Sequence, residues 1–151
     1  MTLRTAIEDQ LFAIESLEAL LLQERAMLIS ADANGIVDLL AHKDDALAEV
    51  SRCAQDLGRE LVASGLPADG QAIERHLAIT PELQDNWRRL RSTMDRTRST
   101  NAANGRLISQ RLQATTARLD ALRGAAMRTG VYNPSGRSGD SQSASRMIAP
   151  A

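Results

Sequence analysis

Aromatic residues are almost missing from this chain of 151 residues: Phe12, Trp87 and Tyr132 are the whole set. A sandwich, a barrel or a doubly wound sheet draws on many more aromatic and β-branched side chains, so the composition argues against a sheet fold. Cysteine is reduced to Cys53. No internal disulfide can form, which fits a reducing compartment. No apolar run is long enough to span a membrane, and the N-terminal segment carries Glu8, Asp9, Glu15, Glu18 and Glu24, which do not suit a signal peptide. A cytoplasmic location is expected. The chemistry of an enzyme is also missing. His42 and His76 stand apart from any Cys or carboxylate spacing that would hold zinc. There is no nucleophile elbow, no glycine-rich phosphate loop and no pair of catalytic carboxylates. Asp44 and Asp45 read as a solvated helix face. No catalytic residue, metal or cofactor is expected.

What the chain does contain is Ala, Leu, Arg, Glu and Gln, the usual helix formers. Their spacing predicts an all-α protein: an antiparallel bundle or coiled coil of three long helices. In the first, over 3–31, Leu3, Ile7, Gln10, Ile14, Leu17, Leu21, Glu24 and Leu28 alternate at fours and threes. Asp32-Ala33-Asn34-Gly35 is expected to stop it, with Asn-Gly supplying a left-handed helix end. The second runs over 36–63 on Ile36, Leu40, Lys43, Leu47, Val50, Ala54, Leu57 and Leu61. Ser64-Gly65-Leu66-Pro67 ends it, and a short helix is expected over 71–79.

The third helix is the most informative. From Pro81 to about Met127 the seam Leu83, Trp87, Leu90, Met94, Thr97, Asn101, Asn104, Ile108, Leu112, Thr115, Leu119, Leu122 and Ala126 continues with one stutter. Thr80 and Pro81 give it an N-cap and a first-turn proline. At 1.5 Å per residue it would be about 70 Å long, against about 45 Å for each of the other two. Its last third should therefore overhang, with no intramolecular partner. Yet Leu107, Ile108, Leu112, Leu119, Leu122 and Met127 keep an apolar stripe there. Such a stripe reads as a surface for a partner protein, with self-association or folding back as the other readings. The helical domain is expected over 1–129 and a flexible tail, rich in Ser, Gly and Pro, over 130–151.

Polar residues interrupt the seams at informative places. Folding the first two helices about Ala33-Asn34 pairs positions that sum to about 67, which sets Glu24 opposite Lys43. An ion pair there would select the register at some cost in stability. Asn101 and Asn104 are expected to fix alignment in the same way, and leucine at both is expected to raise thermal stability. Gly105 beside them costs roughly 1 kcal/mol in a helix interior, which suggests a close backbone approach or a bend.

Net charge is −1, but it is divided. Residues 1–75 hold 6 Lys/Arg and 14 Asp/Glu, while 76–151 hold 12 Arg and 5 Asp/Glu. The first half is thus acidic and the second basic. Packing of acidic helices on a basic one accounts for this. A basic face for an acidic partner or for nucleic acid is the alternative, without stacking aromatics or a nucleic-acid motif to support the latter.

The run Thr100-Asn101-Ala102-Ala103-Asn104-Gly105-Arg106-Leu107-Ile108, followed by Gly130-Val131-Tyr132-Asn133-Pro134-Ser135-Gly136, resembles the FlgN family of flagellar type III export chaperones. Leu20-Leu21-Leu22-Gln23-Glu24-Arg25, and Lys43 followed by Leu47, match in style. Asn133 departs from the glycine the family prefers, a position where asparagine also tolerates a left-handed backbone. The resemblance implies a chaperone for the hook–filament junction proteins FlgK and FlgL, binding their C-terminal segments through its own C-terminal helix and delivering them to the export gate protein FlhA. It implies gate docking for Tyr132. Free of cargo, a monomer or weak homodimer is expected. A structural, self-associating coiled coil and a basic nucleic-acid-binding helical module remain the rival classes.

Overall fold

The computed structural model describes residues 1–66 and 69–129, with the side chains of Met1–Leu66 and 69–127. Within them the chain forms four helices and no strand: α1 (Leu3–Ser30), α2 (Ala33–Ala63), the short α3 (Gly70–Leu77) and α4 (Pro81–Thr129). The expected all-α fold is present. None of the helices is long and apolar enough to cross a membrane. The tail expected over 130–151 lies outside the described residues.

Local chemistry sets each boundary. Thr2 caps α1: its hydroxyl accepts from the Thr5 amide at 3.3 Å, and the Thr5 hydroxyl accepts from the Thr2 amide at 3.0 Å. The turn to α2 differs from the sequence expectation. The left-handed residue is Ala31, at φ 61°, rather than Asn34 or Gly35. Asp32 starts α2 at once, its carboxylate accepting from the Gly35 amide at 3.0 Å. This cap draws Ala33, Asn34 and Gly35 into the helix and pushes the reversal back by a few residues. Glycine at 35 serves space, because a Cβ there would collide with the Asp32 carboxylate.

Alanine in a left-handed conformation carries a steric penalty that glycine avoids. Ala31→Gly is therefore expected to stabilise the fold by about 1 kcal/mol. Urea unfolding monitored by circular dichroism checks this, and an unchanged or lower midpoint would contradict it. At the far end of α2 the chain uses glycine where it is wanted. Gly65 sits at φ 66°, the Leu66 amide bonds the Leu61 carbonyl, and the Gly65 amide bonds the Val62 carbonyl, each at 3.0 Å. That pair of bonds is a Schellman motif.

Over Met1–Arg111 the helices build one compact unit. α1 and α2 pack as an antiparallel pair, with Glu24 bonded to Lys43 at 2.8 Å. The α4 segment of this unit runs parallel to α1, shown by a ladder of links: Arg4 to Glu82, Glu15 to Arg89, Glu18 to Arg96, and the Leu21 carbonyl to Asn104. The acidic first half and basic second half thus meet across α1 and α4. Arg96 gains from its hydrogen bond to Glu18, which pushes its pKa up. Exposed pairs of this kind add little stability individually, but they fix which helices lie side by side. The core comprises Ile7, Ile14, Leu17 and Leu21 of α1, Leu57 of α2, Ile73 and Leu77 of α3, and Leu83, Trp87 and Leu90 of α4.

The α2 seam is rotated from the positions expected, and the α4 seam departs from them within the bundle at Met94 and Asn101. α2 buries Leu39, Cys53, Asp56 and Leu57, while Leu40 and Leu47 are 48% and 43% exposed. α4 buries Thr93 completely and leaves Met94 and Asn101 exposed. The reason is geometric. In a bundle both α2 and α4 turn toward α1, so each presents the flank next to its apolar seam. Cys53 lies on that flank at 2% exposure; burial, then the Glu49 carboxylate beside it, pushes its thiol pKa up.

Candidate functional site: an exposed stripe and a buried polar triad

The second compact unit begins at Leu112. Its described part is the last section of α4. Leu112, Leu119, Leu122 and Met127 are 66%, 48%, 67% and 85% exposed. Leu112, Leu119 and Leu122 are spaced by seven and three and so share one side of the helix, with Met127 five residues further on. Ile108, still in the first unit, is 45% exposed, and Leu107 is half-buried. Single exposed apolar residues such as Phe12 and Val62 are ordinary, whereas a contiguous apolar patch marks an interaction surface. Among the described residues, five of the six side chains expected to form the stripe are exposed, Leu107 being the exception. Thr116, four residues after Leu112, and Arg123, four after Leu119, share the side of those leucines: the Thr116 hydroxyl donates to the Leu112 carbonyl at 3.0 Å, and Arg123 pairs with Asp120 at 3.9 Å.

The sequence-predicted polar residues separate into two groups. Glu24, Lys43 and Asn104 come together. The Lys43 ammonium donates to one Glu24 oxygen at 2.8 Å, and the Asn104 amide donates to the other at 2.8 Å. The same amide nitrogen donates to the Leu21 carbonyl at 2.8 Å, using its second hydrogen. Glu24 and Asn104 are 3% and 1% exposed. Three helices are thereby tied at one level, α1 through Glu24, α2 through Lys43 and α4 through Asn104. This bond reverses the sign expected for leucine at 104, because it would leave a buried carboxylate short of a donor.

Asn101 and Gly105 do not join the triad. Asn101 is exposed and lines a cleft with Lys43, Leu47, Met94 and Thr97. A Cβ built on Gly105 meets nothing within 4 Å, so no close backbone approach within the chain calls for glycine there. Sequence reasoning missed Thr93, which is fully buried and accepts from Arg96 at 2.9 Å. It also missed Gln10 and Trp87 as polar groups of the core: Gln10 Oε1 and Trp87 Nε1 are buried without a hydrogen-bond partner. Both occupy seam positions of their helices, where only the polar atom in an otherwise apolar row signals them. Tyr132 lies outside the described residues.

No group of metal-ligating side chains occurs among the described residues. Asp56, nearly buried, is held by Arg52 at 2.8 Å and by Arg59. The Arg52 guanidinium on Glu49 holds that carboxyl below its usual range. These are contacts within α2 of a structural kind. The arrangement as a whole offers surfaces for helices.

No curated protein and no solved structure gives a significant match to the chain. A family model does, over residues 1–139, and its description is FlgN protein. It spans the helical bundle, the triad and the exposed stripe alike, so the chain belongs to the FlgN family of flagellar export chaperones.

Proposed function

We propose that this chaperone binds the hook–filament junction proteins FlgK and FlgL through the apolar stripe of α4, prevents their premature assembly and hands them to the export gate protein FlhA. The supporting observation is the exposure of Leu112, Leu119, Leu122 and Met127 on a helix that continues from the bundle. Leu107 and Ile108, in the first unit, are assigned to cargo as well. An amphipathic segment from the C-terminal end of the cargo supplies the missing face, and helix packs on helix. The interaction needs neither ATP nor metal. It takes place in the cytoplasm, before export, with the free chaperone a monomer or weak homodimer.

Mixing the purified chain with the C-terminal segments of FlgK and FlgL, followed by light scattering, tests this. A one-to-one complex is expected. A stable homodimer that ignores both segments would favour a structural coiled coil, and salt-sensitive retention of DNA or RNA would favour the basic-module reading.

Tyr132 is assigned to gate docking. The assignment rests on the family resemblance and on the sequence around it, Gly130 before and Pro134-Ser135-Gly136 after. An aromatic ring with a polar tip is a favoured interface anchor. Tyr132→Ala is expected to leave folding and cargo binding intact and to weaken binding to FlhA by about 1–3 kcal/mol. Calorimetry with cargo bound measures it. Wild-type affinity for FlhA in that variant would remove the assignment.

A further inference from the structure

The seam departures of α2 and α4 leave a groove that neither helix closes. α1 forms its floor with Ile14, Leu17 and Leu21. Leu47 and Lys43 of α2 stand on one side, and Met94, Thr97, Arg98 and Asn101 of α4 on the other. A second cleft continues it along the same two helices, from Met94 to Trp87 on α4 and from Ala54 to Leu61 on α2, with Gln10 beneath. Met94 belongs to both. From Lys43 to Leu61 the α2 wall is about 27 Å long, the length of a helix of roughly 18 residues. All of these residues lie in the compact unit Met1–Arg111, so the groove is distinct from the stripe beyond it.

Two observations indicate a ligand with polar groups as well as an apolar face. Three buried polar atoms along the groove have no hydrogen-bond partner: Gln10 Oε1, Trp87 Nε1 and Thr97 Oγ1. Their residues are 2%, 7% and 5% exposed. Each orphan costs on the order of 1–3 kcal/mol unless something bonds to it. The walls are apolar at the same time, with Leu47 and Met94 43% and 37% exposed. A fourth helix laid between α2 and α4 would complete a four-helix bundle.

Charge selects the occupant. Arg91 and Arg98 stand on the α4 side, 48% and 76% exposed, and Arg91 already reaches Glu74 of α3 at 3.4 Å. Arg98 reaches Asp95 of its own helix at 3.5 Å, a pair open to water at both ends. An acidic flank would complement Arg98 first, and Arg91 beside its Glu74 partner. The chain's own exposed apolar helix is a poor fit, because Leu112–Thr129 carries Arg118, Arg123 and Arg128 against Asp120 alone. We infer that the groove between α2 and α4 receives an amphipathic helix of another protein, acidic along one flank and bearing amide or hydroxyl side chains toward Gln10, Trp87 and Thr97. This rests on the export-chaperone reading above and gives the cargo a second seat besides the α4 stripe.

Photo-cross-linking tests it on the full chain. Benzoylphenylalanine replaces Leu47, Met94, Leu119 or, as a control on the opposite side of α2, Asp45. Each variant is mixed with the C-terminal segment of FlgK and, separately, of FlgL. Cross-links from Leu47 and Met94 and none from Asp45 are expected. Arg98→Glu is expected to weaken the complex about threefold to fivefold, the reach of an exposed ion pair. It should also reduce the salt dependence of binding. Cross-links from Leu119 without any from Leu47 or Met94 would overturn the groove and leave the chaperone reading standing. A cross-linked dimer of the chaperone through Leu47 or Met94 would assign the groove to a second copy and overturn the inference. Failure of both segments to bind at all would remove the chaperone reading for these cargoes together with the groove.

Discussion

Leu119→Asp combined with Leu122→Asp is expected to abolish cargo binding while leaving the helical content and the unfolding midpoint of the bundle almost unchanged. The two leucines are 48% and 67% exposed, so the free protein loses little packing when they go. In a complex each would become buried, and a buried leucine contributes about 1.5–3 kcal/mol. Aspartate forfeits that and adds the penalty of desolvating a carboxylate without a partner. Together the losses exceed about 4 kcal/mol, roughly a thousandfold in affinity. Helix propensity costs the exposed positions only a few tenths of a kcal/mol each. Titration calorimetry with the FlgK and FlgL segments reads the first outcome, and thermal unfolding reads the second. Unfolding of the double variant would show that the stripe is core, and binding at wild-type affinity would move the cargo site elsewhere.

The second large effect lies in the triad. Lys43→Met is expected to cost about 3–5 kcal/mol, because it strands the Glu24 carboxylate in the core with the Asn104 amide as its remaining donor. The side chains of Glu24 and Lys43 are only 4% and 19% exposed, so water offers limited relief. Replacing all three by apolar residues, as Glu24→Leu with Lys43→Met and Asn104→Leu, is expected to recover most of that loss or to exceed wild-type stability. A cost for Lys43→Met below about 1 kcal/mol, the range of a solvent-screened pair, would show that the buried charge is compensated by water. The apolar triple variant carries a further expectation. With the polar marks gone from three helices, register is less constrained, and self-association should increase. Equilibrium urea unfolding and light scattering on the same samples separate stability from specificity.

These effects follow from different kinds of information. Glu24 and Lys43 stand alone as charges on apolar seams, and one short connection makes their helices antiparallel, so sequence alone places them opposite each other. Asn104 could be read as a seam asparagine but not as the partner of Glu24. That contact depends on α4 lying parallel to α1 with an offset of about 80 residues, a distance no local pattern encodes. The link Asn104 to Glu24 separates residues by 80 positions, and Arg96 to Glu18 by 78. Asn101, three residues away and identical in type, faces the open groove. Heptad spacing treats both asparagines alike, and only the rotation of α4 against α1 distinguishes them.

The sequence by itself determined the helices, their approximate lengths, the antiparallel first pair and the apolar stripe near the end of the last one. These depend on periodicity, on caps such as Thr2 and Asp69, and on Pro81 and Gly65, all of which act within a few residues. Tertiary structure decided the reversal at Ala31, the faces that α2 and α4 turn inward, and the groove that remains between them. The physical reason is that a side chain at one position of a 3.6-residue period can serve either of two neighbouring helices. Leu47 and Met94 carry the spacing of a coiled-coil seam, but α1 has only one surface to share, and packing both helices against it leaves those two residues facing the opening.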